Sequence, residues 1–175
     1  NDYSYSVSIL QKLREEMEDK MWYNLMHSLD LCVVYIQTMF KKTEDVPEWI
    51  ALGDFNSSKL YFPAKSFFNI VYGRVLLIEG EYLKLLGISD QFMEEASVFP
   101  NLLGQIYTLI FIAASNEKVY RHDAAMEALN KALEISLPDN LYMPFVENCD
   151  YIKSILEEIK NHGIFHATNQ KHIEN

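Results

Sequence analysis

At 175 residues, 49% of them apolar, the chain is long enough to bury one core and too apolar for a disordered segment. A formal charge of −10, with fifteen Lys and Arg scattered along the chain, argues against a nucleic-acid surface, which needs clustered cations. The acidity reads as a solvated exterior.

Val7, Leu10, Leu13, Met17 and Met21 recur at helical spacing, with Lys12, Glu15, Glu16 and Glu18 on the other side, so the chain opens on an amphipathic helix. A second helix is expected over 22–40, either continuous with the first or separate from it. Thr43 to Pro47 breaks the pattern, because the residue before a proline is pushed out of the helical region. A short helix at 48–52 stops at Gly53, and Asn56, Ser57 and Ser58 mark a loop. Pro63 opens a helix reaching about residue 78. Gly80 closes it, and 81–96 makes the return helix, with Gly87 as a candidate break. Pro100 opens a very apolar helix to about residue 116; Gly104, Gln105 and Thr108 interrupt it, and it is too short to cross a bilayer. Its partner begins at His122 or Asp123 and ends near Ser136, before Pro138. A short helix at 140–145, a longer one at 150–161 capped by Gly163, and a polar tail that could form a last helix complete the reading.

Helical periodicity is nearly everywhere and strict alternation nowhere, so the chain is expected to be all-α with no β-sheet. Helix, short turn, helix is the repeating order. Gly73 and Ala113, forty residues apart, take the same place in successive leading helices and would admit close contact with the return helix. Ala125, Leu129 and Ala132 put small residues on one helical face, where a neighbour lies unusually close. These features define the expected architecture as a right-handed α-solenoid of antiparallel helical hairpins, with a plain helical bundle as the alternative. The repeats would occupy 1–138, and terminal capping helices 139–175.

Residues 100–136 resemble a tetratricopeptide-type repeat. Ile112 and Ala113 stand where that family has Leu-Gly, and Ala125, Leu129 and Ala132 where it has Ala, Phe and Ala. The sequence departs from the pattern at Leu109, Asn116 and Tyr120, the last standing in place of the usual turn glycine. The next segment, with Tyr142, Phe145, Val146, Glu147 and Asn148 followed by Ile152, Ile155, Leu156 and Ile159, is similar to the end of the sensor region of large LuxR-type transcriptional regulators, typified by the maltose-regulon activator. The resemblance covers about 60–165. It implies a tetratricopeptide-like effector domain, preceded in the family by a nucleotide-binding switch and followed by a DNA-binding helix-turn-helix. Neither neighbour is in this sequence, and a start without Met fits an excised segment.

Candidate chemistry is sparse. His162, His166 and His172 fall near ligand spacing, but Gly163 intervenes and no acidic or Cys ligand accompanies them, so no metal and no cofactor are expected. Glu15–Glu16, Glu94–Glu95 and Glu157–Glu158 are helical neighbours pointing about 100° apart, unlike carboxylates converging across a cleft, and no nucleophile signature occurs; the chain is not expected to be an enzyme. Cys32 and Cys149 read as isolated thiols of a reducing cytoplasm. A solenoid's leading helices line its concave face, which places Phe67, Ile70 and Arg74 inward, with Tyr107, Ile110 and Ala114 beside them. Arg74 interrupts an apolar run and, if buried, needs a partner, which could be a ligand anion; otherwise it pairs with a nearby Glu or reaches solvent. Phe67 and Tyr107 are ligand contacts or packing aromatics.

The expected role is a sensor domain that binds a small-molecule inducer or a regulatory protein and biases a neighbouring switch. The alternative is a free-standing scaffold for protein partners. Direct nucleic-acid binding and membrane insertion are not expected, and an exposed apolar face on a terminal repeat would permit self-association.

Overall fold

The structure is a computed structural model and describes residues 2–98 and 101–161. Among these the regular structure is entirely helical: α1 (Asp2–Asp19), α2 (Met26–Met39), α3 (Glu48–Ala51), α4 (Lys65–Glu79), α5 (Tyr82–Val98), α6 (Leu102–Lys118), α7 (His122–Ser136), α8 (Met143–Glu147) and α9 (Cys149–Asn161), with short 3-10 turns between several of them. No described helix is long and apolar enough to cross a membrane. The expected last helix, the Gly163 cap and the tail histidines lie outside the described residues.

α4 and α6 form the centre. Every residue from Phe68 to Leu77 is buried, as is most of α6, so both helices are covered on all sides rather than along one stripe. α4 packs on α2, α5 and α6; α6 packs also on α5, α7, α8 and α9. α7 brings Ala125, Leu129 and Ala132, each fully buried, against these neighbours. α9 is one-sided, burying Ile152, Ile155 and Ile159. α8 and α9 thus sit on the same core as the hairpins. α1 packs on α2 and the turn that follows it, and buries none of its side chains fully.

The turns repeat one device. At Met21, Lys41, Gly53, Gly80, Tyr120 and Asn140 the backbone enters the left-handed region, with φ between 55° and 78°. Each of these residues donates its N–H to the carbonyl three back, and the next residue donates to the carbonyl five back. This paired closure satisfies the last carbonyls of the helix and reverses the chain. Lys41, Gly80 and Tyr120 lie 39 and 40 residues apart, and Asn140 follows 20 later. α1 and α2 are therefore separate helices, divided at Met21. α5 runs unbroken through Gly87.

Gly73 has a different neighbour from the one expected. A Cβ there would lie 2.4 Å from Phe111 Cε2, so the missing side chain admits the next leading helix, α6, and not the return helix α5. A ring seated in the groove of a glycine lets α4 and α6 approach closely, and that approach brings Arg74 and Tyr107 near each other.

Candidate functional site

One carboxylate gathers four helices. Glu147, at the end of α8, accepts hydrogen bonds from Tyr35 of α2 at 2.8 Å on Oε1 and from Tyr107 of α6 at 2.5 Å on Oε2. Arg74 of α4 donates from Nη1 to the same Oε2 at 3.0 Å. The Arg74 guanidinium also donates from Nε to Thr38 Oγ1 at 3.0 Å and from Nη2 to Met39 Sδ at 3.0 Å, and it lies 5.5 Å from the centre of the Tyr35 ring. Side chains of the ion pair are 5% and 8% exposed. An unpaired charge at that depth would cost several kcal/mol; here each member answers the other, and Tyr35, Tyr107 and Thr38 add further hydrogen bonds.

Burial pushes the Tyr107 hydroxyl far above its ordinary pKa, and its bond to Glu147 pushes the same way. Burial, then Glu147, raises Tyr35 as well. Both phenols stay protonated donors across the physiological range. The cluster therefore pairs a guanidinium with a carboxylate and adds two neutral phenol donors.

Phe67, Arg74 and Tyr107, the three candidate ligand residues, do come together. Arg74 and Tyr107 share Glu147 Oε2, and the Phe67 ring packs 5.5 Å from Tyr35. Ile110 and Ala114 are fully buried and Ile70 nearly so. Where an open concave lining was expected, α2 and α8 cover these residues. Of the two partners considered for Arg74, the structure supplies the nearby Glu. The space left beside the pair, bordered by Lys41, Asn148 and Tyr151, is about 70 Å³. That suits a few waters; pockets for metabolites run to roughly 300–1,000 Å³.

Tyr35 and Glu147 were missed as site residues. Glu147 stood inside the segment resembling the LuxR-type sensor, but a residue 112 positions from Tyr35 leaves no spacing signal. The cue was Arg74 itself, a buried cation requiring an anion. Among the described residues no group of His, Cys, Asp and Glu is arranged to hold a metal ion, and the thiols of Cys32 and Cys149 are free and exposed.

Fold and cluster define an all-helical protein whose hairpins are braced internally by one carboxylate. No family model, no curated protein and no solved structure matches the chain.

Proposed function

We propose that the chain is a sensor domain of a LuxR-type transcriptional regulator, built as a tetratricopeptide-like solenoid, in which binding of a small molecule or a regulatory protein is transmitted through the Glu147 clamp. The carrying observation is that Glu147, from the segment similar to the regulator family, holds α2, α4 and α6 at once. The recurrence of left-handed turns at 39 and 40 residues supports a hairpin repeat. An effector that separates α4 from α8 must break the buried Arg74–Glu147 ion pair, which would set the clamped arrangement well apart in energy from an opened one. Coupling requires such a difference, and typical values are about 1–3 kcal/mol.

The test is a metabolite screen by thermal shift on the isolated chain. A ligand at a hundredfold its Kd should add about 2.7 kcal/mol of stability. The full-length gene decides the regulatory part: it should encode a nucleotide-binding module upstream and a helix-turn-helix downstream, and the lack of both sinks the reading. The second reading, a scaffold for protein partners, is favoured by the closed Arg74 cluster, which leaves no metabolite-sized trough there. It calls for a partner retained in pull-downs with no metabolite-dependent shift.

A further inference from the structure

A second cavity, of about 270 Å³, lies between the loop at Gly53, α4 and α5. Its wall is a run of aromatic rings: Phe55 meets Phe68 edge-on at 5.5 Å, Phe68 stacks on Tyr72 at 5.9 Å, and Tyr72 meets Phe92 edge-on at 6.4 Å. The polar groups around it fall into two sets. Lys65, Asn69 and Gln91 all turn to Glu95, at 2.7, 2.7 and 2.8 Å, so that carboxylate is saturated and Lys65 is neutralised. Lys84 has no such partner among the described ion pairs. Its ammonium stands 5.5 Å from the centre of the Tyr72 ring, and the Tyr72 hydroxyl, with Glu81 and Glu79 at longer range, raises its pKa above the ordinary lysine value.

We propose that this cavity binds a small aromatic monocarboxylate, its ring against Tyr72 and Phe92 and its carboxylate on the Lys84 ammonium. The volume, a little under the usual range for ligand pockets, takes one ring with a short acidic arm. Of the two cations lining the cavity, Lys65 is balanced by Glu95, while Lys84 has no described carboxylate within ion-pair distance. One negative charge matches that balance. A cationic ligand would meet the Lys84 ammonium already beside the Tyr72 ring, and a neutral one would gain no charge-assisted bond from it. The neighbouring cavity, of about 370 Å³ and bordered by Ser66 and Leu103, offers only the neutral Lys65–Glu95 pair.

This site stands apart from the regulatory reading, because it concerns what the chain binds and not what lies beside it in the gene. The experiment is an amide chemical-shift titration of the whole chain with phenylacetate, with phenylacetamide and phenethylammonium as comparisons. Saturable shifts at Gly53, Lys84 and Gln91 are expected for phenylacetate alone. Lys84→Met should weaken binding by about tenfold without moving the melting temperature, and Lys84→Arg should retain it. Absence of saturable shifts at millimolar phenylacetate, equal binding of the amide, or undiminished affinity in Lys84→Met each overturns the proposal. Shifts centred on Arg74 and Glu147 would overturn it while leaving the sensor reading standing. Binding at Lys84, in a protein whose gene carries no regulatory neighbours, would do the reverse.

Discussion

Tyr120 stands at φ 61° with 96% of its surface in solvent, so its ring contributes nothing to offset the strain of a left-handed backbone. A β-carbon in that region costs about 1–2 kcal/mol, part of which glycine gives back through its freer unfolded state. Tyr120→Gly should therefore raise stability by about 0.5–1 kcal/mol in urea unfolding, with the slope unchanged. Two other glycines make a contrasting pair. An added methyl at Gly73 meets the Phe111 ring at 2.4 Å, whereas one at Gly87, inside α5, meets nothing within 4 Å. Gly73→Ala should cost about 1–3 kcal/mol by overpacking, and Gly87→Ala should gain about 0.5–1 kcal/mol in helix propensity. Equal effects from the two would mean that α4 and α6 do not meet at Gly73.

At the scale of elements, the Glu147 clamp decides how α2, α4, α6 and α8 are placed. Glu147→Gln removes the anion and leaves Arg74 buried without its counter-charge, a loss of about 3–5 kcal/mol. Adding Arg74→Met to that variant should recover much of the loss, and a double-mutant cycle on chemical denaturation measures the coupling. A second tie joins the start of α7 to α9. His122 meets Glu117 through Nδ1 and Glu158 through Nε2, each at 2.9 Å. The bond to Glu117, then that to Glu158, raises the imidazole pKa above its ordinary value. The sign follows: the folded state holds the proton more tightly, so this stabilisation is fully present below the unfolded pKa of about 6.5 and fades as pH rises through the folded one. In His122→Gln the decline of stability above about pH 6.5 should flatten, as read from melting temperatures across a pH series. Helix ends were legible in the sequence at Pro63 and Gly80, whereas Gly87, a candidate break, lies inside an unbroken α5, and Pro100 lies outside the described residues. Met21, Lys41 and Tyr120 turn the chain in the same way as Gly80 without being glycine, because tertiary packing imposes a conformation their side chains disfavour.

For the whole molecule, the helical class and the order of hairpins could be read because periodicity is a local property. The covering of Arg74 and Tyr107 by α2 and α8 could not, since it depends on a tyrosine and a glutamate 112 residues apart. The same geometry predicts how stability is distributed. α4 and α6 are covered on all sides, while α1 packs chiefly on α2 and the residues just after it, through the Arg14–Asp30 ion pair at 2.5 Å, the Tyr3–Phe40 ring contact at 4.9 Å and the Lys42 ammonium 4.1 Å from the Tyr3 ring. A helix packed on one side, with none of its described side chains fully buried, opens before helices that are covered all round. Native-state amide exchange should show α1 opening at a free energy well below the global value, with α4 and α6 exchanging only on global unfolding. Tyr35, on α2 but tied to Glu147, should place α2 with the protected set despite the early opening of α1. Joint exchange of α1 and α2 would mean that the clamp does not hold α2 to α4, α6 and α8.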